Sequence, residues 1–280
     1  MTIRGKAFAW GSRSYLMGVL NVTPDSFSGD GLWRTDRPGD PIAAAVEQAR
    51  RMAAEGVDII DVGGESSRPG HDRVTEEEES RRVVPVVRAI REALPDLPLS
   101  IDTIKPRIAA AALDAGADVI NDVRAVGPSD ALARLAAERG VRYVLMHDRD
   151  EARYRSVVAE VIADLQRAMD RALDCGVAWE SLIVDPGFGF GKTAEHNLLL
   201  LHELRALRVL ARPVLVGLSR KSTIGKVLDL PASERLEGTL ATTALAIAGG
   251  ADILRVHDVE PNRRAALMAD AVVRQGEARP

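Results

Sequence analysis

LSIDTIKP, residues 99–106, contains the pattern that decides the fold of this 280-residue chain. An apolar run ends in Asp102, and Pro106 follows at a position that suits the first turn of a helix, where the missing N–H of proline costs nothing. The stretches DVIND and LIVDPG repeat the strand ending at Asn121 and Asp185. Each stretch predicts a buried strand that ends in a polar side chain.

Eight short apolar runs of this kind are interpreted as strands. They are YLMGVLNV at 15–22, VDIIDVG at 57–63, PLSID at 98–102, DVIND at 118–122, RYVLMH at 142–147, LIVDPG at 182–187, VLVGLS at 214–219 and DILRVHD at 252–258. Longer helical stretches separate the runs, and this alternation predicts parallel strands joined by right-handed crossovers. Eight such units predict an α/β fold, a (β/α)8 TIM barrel of about 250 residues, forming one domain over residues 1–280.

An open, doubly wound sheet is the alternative architecture. Such a sheet needs a phosphate-binding loop of the form G-x-G-x-x-G after its first strand, and LNVTPDSFSGDG at 20–31 lacks that loop. The barrel is therefore the favoured prediction.

Local signals mark where helices and strands begin. Thr75 followed by Glu78 is a capping-box pattern at the start of a helix. The stretches 41–56 and 76–94 have the composition of helices. A similar turn recurs in EGVD, AGAD and GGAD, where a glycine ends a helix and the next strand begins.

Bulk composition narrows the class of protein. The formal net charge of −4 gives no overall attraction to nucleic acid or to an anionic membrane surface. Cys175 is the single cysteine, which excludes an internal disulfide and a cysteine-built zinc site. The first ten residues lack the apolar core of a secretory signal, and no apolar run approaches the roughly 20 residues of a membrane span. We therefore expect a cytoplasmic protein.

Acidic and amide side chains at strand ends predict a ligand site. The carboxyl ends of TIM-barrel strands form the active-site mouth, so Asp102, Asn121 and Asp185 should meet there. His147, which ends the fifth predicted strand, is expected at the same rim. Carboxylates and an amide suit a flat heterocycle with adjacent N–H donors, such as an aminopyrimidine. For any one strand-end residue alone, a helix cap or a turn is the alternative interpretation. That alternative is strong for Asp122 and weaker for Asp102 and Asp185. For Asp102, Asn121 and Asp185 as a set, ligand binding is favoured.

Cationic side chains on the last two predicted strands indicate an anion site. Residues two apart on a strand share a face, which would pair Ser219 with Lys221 and Arg255 with His257. Together with Arg68 from the second loop, they would bind a dianion such as pyrophosphate.

Two further stretches allow alternative interpretations. DPGFGFGKT, residues 185–193, is not a phosphate-binding P-loop, because residue 186 is proline where that motif needs glycine. We interpret the turn as backbone that approaches a flat ligand closely, with Phe188 or Phe190 as an apolar wall. Asn21 is either part of a turn or a Mg²⁺ ligand through its amide oxygen.

Taken together, the motifs resemble the dihydropteroate synthase family of the folate pathway. The resemblance runs from about Tyr15 to Val259, nearly the whole chain, with seven motifs in the family's order. These are MGVLNVTPDSFSGDG, DIIDVGGESSRPG, LSIDTIKP, DVINDV, IVDPGFGFGKTAEHN, VLVGLSRKS and ILRVHDV. This resemblance implies a pterin-binding TIM barrel. Members of the family are usually homodimers and are targets of sulfonamides. The family's reaction condenses 6-hydroxymethyl-7,8-dihydropterin diphosphate with 4-aminobenzoate to give 7,8-dihydropteroate and pyrophosphate.

The resemblance also implies residue roles. Residues implied in catalysis, most of them also substrate contacts, are Asp102, Asp185, Lys221, Arg255 and His257. Further residues implied to bind the pterin, the diphosphate or 4-aminobenzoate are Asn121, Ser67, Arg68, Pro69, Phe190, Gly217, Ser219 and Ser222. The implied cofactor is Mg²⁺, with Asn21 as its ligand.

Some positions depart from the family pattern, and two other functions remain open. Asp148 stands where an apolar residue is common, Ser67 where threonine is common, and Thr223 where phenylalanine is common. A pterin-binding methyltransferase domain would share the barrel but would not need the cationic group. A non-catalytic pterin-binding relative should have lost Arg68, Lys221 or His257, and all three are present.

Overall fold

The structure is a computed structural model that describes residues 1–23, 40–65 and 74–274. Its main feature is a sheet of eight parallel strands: β3 (Tyr15–Asn21), β4 (Ile59–Gly63), β5 (Leu99–Asp102), β6 (Val119–Asp122), β7 (Arg142–Met146), β8 (Leu182–Asp185), β9 (Leu215–Val216) and β10 (Ile253–Val256). Their spatial order is β8-β7-β6-β5-β4-β3-β10-β9. A parallel bridge between Val184 and Val214 joins the two ends of the sheet. The predicted (β/α)8 TIM barrel is confirmed, with all eight predicted strands present.

Helices follow the strands and surround the sheet. They are α1 (Pro41–Ala54), α2 (Glu76–Ala93), α3 (Pro106–Asp114), α4 (Ala131–Arg139), α5 (Val157–Asp174), α6 (Ala194–His202), α7 (Ser222–Leu228), α8 (Leu236–Ala248) and α9 (Val259–Val273). Within the described residues, no helix has the length and apolarity needed to cross a membrane.

The predicted helix starts are present. Pro106 is the first residue of α3, where its missing N–H leaves no partner unsatisfied. Thr75 caps α2 by accepting a hydrogen bond from the backbone N–H of Glu78 at 3.2 Å. Both helix starts depend on residues within one turn of each other, which is why they could be predicted from the sequence alone.

Two apolar clusters lie on the two faces of the barrel. The inner cluster includes Ile59, Val119, Ile183, Leu215 and Ile253, one residue from each of five strands. The outer cluster joins the alternate strand residues to the surrounding helices. Period-two alternation of side chains therefore separates barrel interior from helix-facing exterior.

A small hairpin precedes the barrel and was not predicted. Strands β1 (Thr2–Ile3) and β2 (Lys6–Ala7) pair antiparallel, and Gly5 in their turn has a φ of +74°. Ile3 and Phe8 join the inner apolar cluster. The hairpin therefore packs on the barrel interior.

The recurring glycine–aspartate turn has one structural role at three places. Asp58, Asp118 and Asp252 each stand just before a strand and accept a backbone N–H from the strand region beside it, at 2.8, 3.0 and 3.0 Å. The preceding turn glycines have φ between +89° and +113°, a region that favours glycine. The repeat thus fixes where one strand starts relative to its neighbour.

Candidate active site

The inner face of the barrel changes from apolar to polar along the strands. Val119 and Ile183 lie in the inner apolar cluster. Two residues further along the same strands come Asn121 and Asp185, which therefore share that face. On β10 the same change occurs at Arg255. The predicted polar residues of these strands therefore meet at the carboxyl end of the barrel.

Arg255 lies between two buried carboxylates. Its Nε donates to Asp61 Oδ2 at 2.7 Å, and its Nη2 donates to Asp102 Oδ2 at 2.8 Å. Asp61 is 0% exposed and Asp102 is 8% exposed, so both ion pairs are shielded from water. The sequence interpretation placed Arg255 mainly with the diphosphate, but the structure places its guanidinium within the acidic group.

Asp61 is the site residue that sequence reasoning missed. It also accepts a hydrogen bond from Asn121 Nδ2 at 3.0 Å, on the same Oδ2 that binds Arg255. The available signal was an aspartate inside an apolar strand, two residues after Ile59 and therefore on the same interior face. It was overlooked because it does not end its strand.

Asn21 lies next to the acidic group. Strand register aligns Asn21 with Gly63, and Gly63 with Asp102. A Cβ placed on Gly63 would lie 3.8 Å from Asp102 Oδ2 and 3.9 Å from Asn21 Oδ1. The Asn21 amide oxygen and the Asp102 carboxylate thus flank the same glycine.

Asp185 and Lys221 form the opposite side of the group. Asp185 Oδ1 accepts the backbone N–H of Gly187 at 2.7 Å. The Lys221 ammonium donates to the carbonyl of Phe188 and lies 4.5 Å from the centre of the Phe190 ring. Phe188 is fully buried in the outer core, so Phe190 is the aromatic residue beside the site.

Burial shifts the pKa values of the charged groups in the site. Loss of water raises the pKa of Asp102 to about 7, against the opposing effect of Arg255. Burial also raises the pKa of Asp185 and lowers the pKa of Lys221 to about 8, although these two groups favour each other's charge. The shifted pKa values of Asp102 and Lys221 lie close to neutral pH, as is common at functional sites.

Ser219 and His257 contact each other beside this group. Ser219 Oγ lies 2.9 Å from His257 Nδ1 and accepts the backbone N–H of His257 at 3.2 Å. The argument that Ser219 and Lys221 share a strand face was wrong, because β9 ends at Val216 and both residues follow in a turn. Lys221 consequently lies with the carboxylates while Ser219 contacts the histidine.

Of the remaining predicted substrate residues, the structure describes Gly217 and Ser222. Gly217 lies against Arg255, since a Cβ there would be 3.7 Å from the Arg255 Cβ. Ser222 is the exposed first residue of α7. Three predictions fall outside the described residues: Ser67, Arg68 and Pro69.

Two glycines of the glycine-rich turn pack closely against the backbone of another loop. Gly187 has a φ of +66°, and a Cβ there would overlap the carbonyl oxygen of His147. Gly191 approaches the carbonyl of Arg149 in the same way. The interpretation as ligand-facing backbone was therefore wrong for Gly187 and Gly191, because the loop after β7 occupies the space that a side chain would need. Gly189 instead approaches a site residue, since a Cβ there would lie 3.2 Å from Lys221 Cδ.

His147 does not reach the mouth of the barrel. It lies two residues after Leu145 of the outer cluster, and its ring is 3.0 Å from Asp164 of α5 and 2.8 Å from the Lys192 ammonium. Lys192 also donates to the carbonyls of Gly187 and Phe190. Burial lowers the pKa of His147 to about 4 and that of Lys192 to about 7. The histidine and lysine therefore support the glycine-rich turn from behind.

Asp122 and Asp148 have protein partners. Asp122 accepts hydrogen bonds from the Tyr143 hydroxyl at 2.6 Å and from the backbone N–H of Arg124 at 2.9 Å. It faces outwards, and the interpretation of Asp122 as a turn residue is confirmed. Asp148 Oδ2 pairs with Arg124 Nε at 3.0 Å, at the rim of the barrel.

The donor set around Asn21 fits Mg²⁺ only if the substrate supplies most of the ligands. Across residues 1–23, 40–65 and 74–274 no group of three or more His, Cys, Asp or Glu side chains could hold a metal ion. An amide oxygen is a hard donor, and Mg²⁺ commonly binds through one or two protein oxygens plus phosphate and water. Asn21 is such a single donor.

Comparison with known proteins gives a consistent result. The pterin binding enzyme family matches residues 17–257. The dihydropteroate synthase of Clostridium beijerinckii is 47% identical over 276 residues, 98% of this chain and 100% of that protein. A crystal structure of dihydropteroate synthase from Clostridium difficile in the presence of pteroic acid has a TM-score of 0.89 at 42% identity, covering 96% and 100% of the two chains. The enzyme from Xanthomonas albilineans with 4-aminobenzoic acid has a TM-score of 0.87 at 42% identity, covering 96% and 95%.

Proposed function

Because the chain belongs to the pterin-binding enzyme family, we infer that it catalyses the dihydropteroate synthase reaction of folate biosynthesis. It is a transferase that joins 6-hydroxymethyl-7,8-dihydropterin diphosphate to 4-aminobenzoate and releases pyrophosphate. One observation of this chain's own structure carries the assignment. Buried carboxylates and an amide meet at the barrel mouth together with Lys221 and Arg255. This group matches a flat ring rich in N–H donors whose substituent departs as an anion.

The pterin ring belongs with the acidic side chains. Asp102 and Asp185 each have the capacity to accept N–H bonds from the ring, and Asn121 offers a donor and an acceptor. Lys221 supplies a cation beside Asp185, where it can donate to ring oxygen or nitrogen acceptors. These residues orient the ring so that its methylene group faces the cations.

The reaction breaks the bond between the methylene carbon and the diphosphate oxygen. The electron pair leaves with the diphosphate, and the ring electrons stabilise the positive charge on the methylene carbon. Ionised Asp102 and Asp185 offset the positive charge that spreads into the ring. The neutral arylamine nitrogen of 4-aminobenzoate then forms the new C–N bond and loses its proton afterwards, so the site needs no strong base before attack.

The leaving diphosphate belongs with Arg255, Ser219 and His257, and Arg68 is an additional candidate outside the described residues. Arg255 Nη1 makes no hydrogen bond to the described part of the chain, so its N–H groups are available to an anion. Mg²⁺, held by Asn21 and diphosphate oxygens, would supply further neutralisation of the leaving group.

The second substrate belongs on the other side of the methylene group. Phe190 offers an apolar surface and Ser222 an exposed hydroxyl at the start of α7. Ser67 and Pro69 are the remaining candidates for this subsite. The homodimer, the cytoplasmic location and the assignment of residues 1–280 to one domain also stay predictions.

A pyrophosphate-release assay tests the function. With both substrates and Mg²⁺, the protein should release pyrophosphate and form 7,8-dihydropteroate in equal amounts, and omission of either substrate should stop release. Tight pterin binding without release would instead indicate a non-catalytic pterin-binding protein. Transfer of a methyl group from a pterin, without any pyrophosphate release, would indicate the methyltransferase alternative.

A further inference from the structure

Asp61 is a buried carboxylate with an unusual division of hydrogen bonds. Its Oδ2 accepts from both Arg255 Nε, at 2.7 Å, and Asn121 Nδ2, at 3.0 Å. Its Oδ1 is buried and has no hydrogen-bond partner among the described residues. A carboxylate that contributed only to folding would be expected to use both oxygens, because an unsatisfied buried oxygen costs about 1–3 kcal/mol.

We propose that Asp61 is a positioning residue that orients Arg255 towards the leaving diphosphate and orients the Asn121 amide towards the pterin. This proposal rests on the proposed function. Asp61 acts through these two side chains and has no assigned contact with the reacting atoms.

The geometry at Arg255 carries the first half of the proposal. A guanidinium group is planar, and two fixed N–H directions define its plane. Asp61 fixes Nε and Asp102 fixes Nη2, so the position of Nη1 is set by the two carboxylates together. Without Asp61, the guanidinium would be held by Asp102 alone and could turn to make a two-point contact with it.

The geometry at Asn121 carries the second half. An amide has its oxygen and nitrogen on opposite sides, and both ends otherwise fit the same space. Because Asp61 accepts from Nδ2, that end of the amide is fixed and Oδ1 is directed away from Asp61. Asn121 therefore presents an acceptor in one defined direction, which suits an N–H donor of the ring.

The charge balance of the site agrees with this role. Asp61, Asp102 and Asp185 face Lys221 and Arg255, and Glu79 is a further negative group near Asp102. Breaking a buried pair is destabilising mainly when a charge is left alone. Arg255 would keep Asp102 if Asp61 were neutralised, so Asp61→Asn should fold. Its amide oxygen can still accept from Arg255 and Asn121, but a neutral acceptor holds both donors more weakly than a carboxylate does, so the alignment is loosened.

Ser100 provides a matched control. It is the register partner of Asp61 on β5, is equally buried, and its hydroxyl likewise has no partner among the described residues. It contacts neither Arg255 nor Asn121 through a hydrogen bond. Ser100→Ala therefore tests whether any change at this depth of the barrel affects activity.

The experiment is a double-mutant cycle with Asp61→Asn, Arg255→Gln and both together. Asp61→Asn should lower kcat/KM for the pterin diphosphate about 30-fold, mostly through kcat, since it removes alignment of a transition-state contact. If Asp61 acts through Arg255, the double variant should be no more than about threefold worse than Arg255→Gln. Ser100→Ala should stay within about twofold of the wild type.

Two binding measurements keep the test independent of turnover. Calorimetry with inorganic pyrophosphate reports on Arg255, and calorimetry with a pterin that lacks the diphosphate reports on Asn121. Asp61→Asn should weaken both, while Ser100→Ala should weaken neither. If the wild type releases no pyrophosphate, the proposed function fails, and these binding data still decide whether Asp61 positions its partners.

Three results would overturn the proposal. Independent losses that multiply in the double variant would show that Asp61 does not act through Arg255. An equal loss in Ser100→Ala would point to general packing of the barrel interior. Unchanged kcat/KM and unchanged binding in Asp61→Asn would remove the role altogether.

Discussion

The two ends of the barrel use aspartate in different ways. At the amino ends of three strands, Asp58, Asp118 and Asp252 accept backbone N–H groups from the neighbouring strand region. At the carboxyl ends, Asp102 and Asp185 lie in a buried group with cationic side chains. The kind of partner, more than burial, therefore separates a structural carboxylate from a functional one. Asp118 also pairs with a cation, but that cation, Arg91, donates its other N–H groups to backbone carbonyls, whereas Arg255 joins two carboxylates at the barrel mouth.

The energetic consequence follows from the kind of partner. A carboxylate that accepts a backbone N–H satisfies a donor that would otherwise be unpaired, so its loss costs stability. A carboxylate held among cations in a buried site can stabilise a positive charge that develops nearby during a reaction. Four changes test this comparison.

The largest expected effect is on activity, from Asp102→Asn. Removal of the charge that offsets the developing cation should lower kcat about 100- to 1000-fold, or about 3–4 kcal/mol in activation free energy. The free energy of unfolding should change by less than about 1 kcal/mol, because the amide oxygen can still accept from Arg255. Steady-state kinetics and urea unfolding measure the two effects. Equal weakening of pterin binding and chemistry would contradict the assigned role.

The next effect is on stability, from Asp118→Ala at the opposite end. This change leaves the Leu99 N–H without its partner and removes a 2.6 Å ion pair with Arg91. We expect a loss of about 2–3 kcal/mol in the free energy of unfolding, with kcat/KM of the folded protein within twofold. Asp114→Ala is the control, since Asp114 is exposed and, among the residues that the structure describes, pairs only with Arg139; it should cost less than about 1 kcal/mol.

A smaller effect concerns pH. Because burial raises the pKa of Asp102 to about 7, the carboxyl gains a proton as pH falls through 7 and loses the charge that the reaction uses. The kcat/KM of the wild type should therefore fall about tenfold from pH 8 to pH 6. The profile of Asp102→Asn is the comparison, because diphosphate ionisation affects both proteins alike. An identical slope in both would exclude Asp102 as the titrating group.

The smallest effect should come from Asp122→Asn. Asp122 follows Asn121 directly at a carboxyl strand end, yet it faces outwards and bonds Tyr143 and a backbone N–H. We expect a loss of about 1 kcal/mol in stability and a change in kcat/KM below about threefold. A loss of activity comparable with that of Asp102→Asn would contradict the distinction between carboxylates with structural partners and carboxylates in the cationic group at the barrel mouth.

Local sequence signals predicted much of the fold because they act over a few residues. Pro106 and Thr75 start helices through their own backbone and side-chain chemistry. The recurring glycine–aspartate turn was also visible. The N-terminal hairpin was missed because two-residue strands carry too little alternation to be distinguished from a loop.

The site was predicted in part. The errors arose because the sequence does not show which strand face points into the barrel or which distant residues meet there. Asp102, Asn121 and Asp185 were found because each ends an apolar run. His147 also follows such a run, but its position places it on the helix-facing side. Asp61 was missed because it does not end its strand and because its contact with Arg255, 194 residues away in the chain, exists only in the folded barrel.

The amino-acid sequence alone was enough to predict the alternation of strands and helices, where they start, and most of the polar residues at strand ends. These features depend on period-two side-chain alternation and on caps, which are local. The folded barrel was needed to show which face of each strand points inwards and which side chains meet across the interior. The physical reason is that barrel closure fixes the register between neighbouring strands, and a one-residue change in that register would exchange the interior and exterior faces of a strand.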